Sequence, residues 1–216
     1  VSLGLSSMIF LYFDLKVPLA IMVQRLFTGI DSFPIMAIPF FVLAGAAMNA
    51  GGLTTRIVAF ANAVVGWVRG GMAQVSVVAC MIISGLSGSA VADCSAIGGV
   101  MIPAMKKSGY SAEFAGGLVG SAAGLGPIIP PSITMVVFGV ITGTSITKLF
   151  IGGAIPGIIF GVGLMIAVHI IAVRRNYPRF GRPSLGQFWK SLVEVFWALL
   201  MPIIVLGGIF IGIFTV

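Results

Sequence analysis

Charge is what this sequence has least of. Only 8% of its 216 residues are charged, five of them acidic, and there is a single histidine. A soluble domain carries about 25% charged residues, so this chain lacks the side chains needed to wet a globule of its size. That shortage excludes a soluble enzyme and a disordered chain. Cysteine is nearly absent too. Cys80 and Cys94 both sit in apolar runs, where a thiol packs as a small apolar residue; a secreted disulfide scaffold is therefore excluded. No Walker loop, dinucleotide fingerprint or metal-ligand spacing occurs.

What is there is apolar. Hydrophobic residues make up 59% of the chain and the mean hydropathy is +1.18, which places it in a membrane. The net charge of +7 does not point to nucleic acid. Five of the 12 basic residues (Arg174, Arg175, Arg179, Arg182, Lys190) fall between two apolar stretches, the pattern of a cytoplasmic loop. Trp67, Trp189 and Trp197 suit membrane interfaces, and the 30 glycines imply close helix packing. His169, five residues before Arg174, reads as an interfacial or packing residue. Val1 stands where a start methionine would, and Val216 ends the chain inside an apolar run. The sequence therefore reads as a piece of a longer integral membrane protein.

The uncharged windows have informative lengths, since a helix crossing the hydrocarbon core needs about 20 residues. Residues 149–173 and 191–216 each read as one span, with only Glu194 near the start of the second. Residues 32–55 read as a third, with Pro34 and Pro39 in its first turns, and 57–68 as a short segment between Arg56 and Arg69. Residues 1–26 are interrupted by Asp14, Lys16 and Pro18.

Two windows are too long for one span. Residues 70–105 hold one charge, Asp93, and their midpoint falls in Ser84-Gly85-Leu86-Ser87-Gly88-Ser89. Residues 108–147 hold one, Glu113, and centre on Gly124-Leu125-Gly126-Pro127-Ile128-Ile129-Pro130-Pro131-Ser132. Glycine, serine and proline in that density end a helix. Each window is thus two half-helices about an irregular centre. If the first is a re-entrant hairpin and the second a broken crossing helix, ten basic residues lie on the cytoplasmic side and two outside. Two crossings would give eight against four, and two hairpins six against six. The positive-inside rule selects the hairpin followed by the broken helix. The expected fold is an all-α, multi-span membrane bundle. Residues 1–69 form N-terminal scaffold helices, 70–107 the hairpin and 108–147 the broken helix. Residues 148–216 form further spans around a basic loop at 174–190.

Open backbone in a bilayer needs protein or a water-filled cavity to satisfy it. Two breaks at matched depth near the midplane fit a transporter's binding site. Carbonyls at half-helix C-termini suit Na⁺, and half-helix N-termini suit an anion. The candidate sodium- and substrate-binding residues are Ser87, Gly88, Ser89, Asp93, Gly126, Pro127, Pro130 and Ser132. Of these, Ser87, Ser89, Gly126, Pro130 and Ser132 are the candidate Na⁺ ligands. Asp93, near the start of the second half-helix, reads first as a cap on free amides and second as a ligand.

At these breaks the chain resembles the large membrane subunit of the tripartite ATP-independent periplasmic (TRAP) transporters, the DctM-like permeases. The resemblance rests on Arg25-Leu26-Phe27, Asp31-Ser32-Phe33, Ala37-Ile38-Pro39-Phe40-Phe41 and Ser87-Gly88-Ser89-Ala90-Val91-Ala92-Asp93. It continues through Met101-Ile102-Pro103-Ala104-Met105-Lys106-Lys107, Gly109-Tyr110, Gly126-Pro127-Ile128-Ile129-Pro130-Pro131-Ser132 and Lys148-Leu149-Phe150, with Gly153 and Pro156-Gly157. It implies sodium-coupled uptake of small organic acids, of C4-dicarboxylate or sialic-acid type, in a bacterial or archaeal inner membrane. Na⁺ would be the coupling ion, with no other cofactor. The implied partners are a small membrane subunit and a periplasmic substrate-binding protein, and the implied motion is an elevator. The family carries two inverted repeats, of which this chain holds one, so these residues alone are expected to form half a site. Cys94 and Ser95 stand where small residues are usual.

Two other readings compete. Gly85-Leu86-Ser87-Gly88 matches the Gly-x-Ser-Gly setting of rhomboid-type intramembrane serine proteases, with His169 as base. The charge pattern, however, sets His169 near the cytoplasmic edge, out of hydrogen-bond reach of Ser87. A structural membrane subunit without a ligand site is the other alternative.

Overall fold

A computed structural model describes residues 2–13, 18–30, 33–179, 181 and 183–211. Val1, Asp14, Lys16, Asp31, Ser32, Arg182 and Val216, which entered the reading above, lie outside them. The described residues form α-helices and no strand. In order these are α1 (Ser2–Phe13), α2 (Leu19–Ile30), α3 (Phe33–Ala50), α4 (Leu53–Val65) and α5 (Gly71–Ser87). Then come α6 (Ala90–Lys107), α7 (Ala112–Ala123), α8 (Ile133–Thr142), α9 (Ile146–Arg174) and α10 (Leu185–Phe210).

The first long window folds back on itself. Ser84 and Ser87 meet Asp93 at the tip, and Ser76 near the start of α5 meets Met105 near the end of α6. Only an antiparallel return makes both contacts. The turn is made by Gly88, at φ +60°, a left-handed conformation that a side chain disfavours. Ser89 then caps α6 by accepting from the Ala92 amide. The arms of 17 and 18 residues are about 26 and 27 Å long, just short of a core of about 30 Å.

α5 is apolar over most of its surface, its polar side chains being Gln74, Ser76, Ser84 and Ser87, and such a helix belongs inside. Ala73, Val75, Val77, Ala79 and Cys80 are fully buried, and α5 packs against α4, α6, α7, α9 and α10. α9 runs antiparallel to it. Gln74 Nε2 donates to the Met165 carbonyl, while Met81 lies against Gly161. At the basic end the hairpin base joins the end of α9. The Tyr110 and Tyr177 rings stack at 4.1 Å, and Arg175 sits 5.8 Å above Phe114.

α9 and α10 are the two described helices long and apolar enough to cross a membrane singly. α10 begins at Leu185, not at 191, because Ser184 and Gln187 form a reciprocal capping box. Lys190 is therefore helical, and the basic loop is shorter than 174–190. The window 32–55 is corrected as well. Its helix ends at Ala50, and α4 starts at Leu53 after a 72° bend. Gly51-Gly52 makes that bend, whereas Arg56, taken as a boundary, lies within α4. A long basic side chain can extend to the interface from inside a helix, so its position did not mark a helix end.

Candidate functional site

Both breaks lie where the window arithmetic puts them, and they touch. The hairpin tip is 88–89, and the unwound segment between α7 and α8 is 124–132. The Ile133 amide, one of the free first-turn donors of α8, gives its hydrogen bond to the Gly88 carbonyl at 3.3 Å. A methyl on Gly88 would lie 2.7 Å from the Pro131 carbonyl oxygen and 3.0 Å from the Ile133 nitrogen. A methyl on Gly126 would lie 2.8 Å from the Ala90 nitrogen and 2.9 Å from Asp93 Oδ2. The two elements therefore meet backbone to backbone. Two helix C-termini (α5, α7) and two N-termini (α6, α8) converge there, the N-termini capped by Ser89 and Ser132.

The position of this meeting along α9 can be read from its neighbours. The unwound segment lies beside Gly153 and Gly157 of α9. Gly157 is 11 residues from Ile146 and 17 from Arg174, about 16 and 26 Å along the helix. The site is thus nearer the Lys148 end.

Asp93 is fully buried, and its role is not the cap expected for it; Ser89 fills that position. Its two oxygens accept instead from the arm before the turn: Ser84 Oγ donates to Oδ2 at 2.7 Å, and Ser87 Oγ donates to Oδ1. The carboxylate thereby ties α6 back onto α5. Ser84 was missed in the sequence. Its signal was the spacing of Ser84 and Ser87 on one helical face, three residues apart.

The two serine hydroxyls have the same arrangement. Ser87 gives its proton to Asp93 and accepts from the Ser89 amide at 3.2 Å. Ser132 gives its proton to the Pro127 carbonyl at 2.9 Å and accepts from the Met135 amide at 3.4 Å. A hydroxyl has one proton and two lone pairs. Each serine thus has its proton and one lone pair engaged, leaving one lone pair. That suits a hard cation, which takes oxygen ligands. Among the described residues no group of three His, Cys, Asp or Glu side chains is placed to hold a metal ion. Ser87, Gly88, Asp93, Gly126, Pro130 and Ser132 are buried, and Ser89 and Pro127 are partly so. The Pro130–Pro131 peptide is cis.

A cavity of about 380 Å³ opens beside the tip, within the usual range for a small ligand. Its polar lining comes from Ser87, Ser89, Asp93 and Ser95 of the hairpin and from Asn49 and Thr54 at the α3–α4 bend. Thr54 donates to Asn49 Oδ1 at 2.7 Å across that bend. Neither was singled out from sequence; an asparagine near the end of an apolar helix was the available signal. His169 lines a separate groove with Val65, Val68 and Gln74. Gln74 precedes Ser87 by 13 residues of α5, about 20 Å. The Ser87–His169 pair needed for a protease is not formed.

Comparison with known proteins identifies the family of the chain. The family described as "Tripartite ATP-independent periplasmic transporter, DctM component" matches residues 1–216. The C4-dicarboxylate TRAP transporter large permease protein DctM of Vibrio cholerae is 46% identical over 218 residues, covering 100% of this chain and 48% of the relative. The 2,3-diketo-L-gulonate TRAP transporter large permease protein YiaN of Escherichia coli is 47% identical over 195 residues, 90% of this chain and 46% of the relative. The sialic acid TRAP transporter permease protein SiaT of Haemophilus influenzae is 43% identical over 192 residues, 89% and 31% respectively. The chain spans about half the length of the first two relatives, and its alignment covers under a third of the third.

Proposed function

Because the chain belongs to the DctM family of TRAP transporters, a family of membrane transporters and not of enzymes, we propose that it serves as part of a sodium-coupled permease for small organic acids. The observation that carries the sodium assignment is the pair of serines, Ser87 and Ser132, each with its proton committed elsewhere and joined through the Gly88–Ile133 hydrogen bond. Na⁺ would take ligands from Ser87, Ser89 and Ser132 and from carbonyls at Gly126 and Pro130. The capped N-terminus of α6, whose Ser89, Val91 and Ala92 line the adjoining cavity, carries partial positive charge. It would favour a carboxylate there, and the relatives named for C4-dicarboxylate, sialic acid and diketogulonate are consistent with such a substrate. The complete permease would work with a small membrane subunit and a periplasmic binding protein, moving the hairpin and broken helix as a unit in an elevator step. It is a multi-pass protein of the bacterial inner membrane.

The test is the melting temperature of the complete protein in Na⁺ against choline at equal ionic strength. A ligand bound only by the folded state stabilises it by about 2.7 kcal/mol at a hundredfold excess over its dissociation constant. A sodium-specific rise is expected. In Ser87→Ala and in Ser132→Ala the sodium concentration for half the effect should increase about tenfold, the loss of roughly one ligand interaction. Two variants titrating like the wild type would instead favour a structural subunit with no ion at the breaks.

A further inference from the structure

α9 is unbroken, yet it carries buried glycines at four-residue spacing: Gly153, Gly157 and Gly161. Glycine in a helix is about 1 kcal/mol less favourable than alanine, so three on one face call for a packing reason. Each faces one of the broken elements. A methyl on Gly153 would lie 2.2 Å from Met135 Cε, the flexible end of a side chain in α8, and 2.7 Å from the Ile128 carbonyl oxygen, and one on Gly157 would lie 2.7 Å from Ile129 Cγ1. One on Gly161 would lie 2.6 Å from Met81 Sδ, on the outgoing arm of the hairpin. Gly152 and Gly163, on other faces of the same helix, would meet nothing within 4 Å.

The three contacts differ in how far they can yield. Met81 is flexible and can swing aside. The Ile128 carbonyl belongs to the backbone, and Ile129 is β-branched and stiff at χ1. Ile128 and Ile129 lie in the unwound segment, next to Pro127, whose carbonyl receives the Ser132 proton. On its other side that segment is held by the hairpin tip, through Gly126 and the Gly88–Ile133 hydrogen bond. It lies in close contact with α9 on one side and the tip on the other.

We propose that Gly153 and Gly157 are positioning residues: α9 is the seat that sets how far the unwound segment projects toward the hairpin, and so where Pro127 and Ser132 present their oxygens. The functional part of this rests on the ion-site reading above; the placement does not. In the complete protein, Gly157→Ala should speed hydrogen exchange of the amides in 124–133 about tenfold, as overpacking loosens a local unit. It should also raise the sodium concentration for half-maximal uptake by more than it lowers the maximal rate. Ile129→Ala removes the carbon that the new methyl would strike, so Gly157→Ala with Ile129→Ala should exchange within about twofold of Ile129→Ala alone. Gly161→Ala and Gly163→Ala should leave exchange in 124–133 unchanged.

Unchanged exchange in Gly157→Ala, or no rescue by Ile129→Ala, overturns the seat. If Gly157→Ala does not accumulate, accumulation of the double variant supports the seat, and failure of both overturns it. A wild-type protein indifferent to sodium would sink the ion reading alone, because the exchange measurement needs no ion.

Discussion

Replacing Asp93 with alanine is expected to abolish uptake by the complete protein and to lower its stability by about 2 kcal/mol. Two hydroxyls, on Ser84 and Ser87, both buried, lose their acceptor at once. Leaving a buried donor unpaired costs about 1–3 kcal/mol. Part is recovered, because a helical serine can turn its hydroxyl to the carbonyl four residues back. The tie between the two arms is not recovered, and the tip loses its fixed geometry. Asp93→Asn separates fold from function. Its amide oxygen still accepts from one serine, while its amide nitrogen must donate to the other, so the stability loss should stay below about 1 kcal/mol. Where the amide nitrogen faces Ser87, that hydroxyl must turn its proton elsewhere and its free lone pair is lost. The sodium requirement for uptake should then rise about tenfold at normal accumulation. Sodium titration of uptake, beside melting curves, reads both effects. An Asp93→Asn protein with the wild-type sodium titration would disconnect the carboxylate from the ion.

The second large effect is expected from one methyl group on either side of the contact between the breaks. Gly88→Ala places a side chain at φ +60°, about 1–2 kcal/mol unfavourable, and drives its Cβ to within 3.0 Å of backbone atoms of Pro131, Ser132 and Ile133. Gly126→Ala brings its Cβ to 2.8 Å from the Ala90 nitrogen and the Ser89 carbonyl carbon. Backbone cannot swing aside, so the elements must separate, at about 1–3 kcal/mol for overpacking. Uptake in either variant should fall to less than about a tenth of wild type, with Gly163→Ala unaffected. The two substitutions open the same contact, so the double variant should lose less stability than the sum of the singles. Additive losses would mean that the tip and the unwound segment are not one packed unit.

These effects depend on features that the sequence showed to different degrees. The breaks themselves were legible. A window of 36 or 40 uncharged or nearly uncharged residues cannot be one span, and Gly-, Ser- and Pro-rich centres show where each must open. The choice of a re-entrant hairpin over two crossings rests on the charge balance, since basic residues stay on one side of the membrane. The α3–α4 bend was open to reading in the Gly51-Gly52 pair; Arg56 misled, because an isolated arginine is as compatible with a helix interior as with its end. The start of α10 was likewise written in Ser184 and Gln187, a capping-box spacing that outweighs the position of Lys190.

The sequence by itself determined that this is a membrane bundle with two interrupted windows, and where each is interrupted. Both follow from local rules: hydropathy, the length of a span, and the backbone preferences of glycine and proline. Only the tertiary structure decided what Asp93 does, since capping and cross-arm hydrogen bonding place a carboxylate in the same first turn. It also decided that α9 presses its glycines on the unwound segment, and that the Gly88 carbonyl meets the Ile133 amide. Those are contacts between residues up to 45 positions apart, set by how helices pack, and no window of local sequence encodes them.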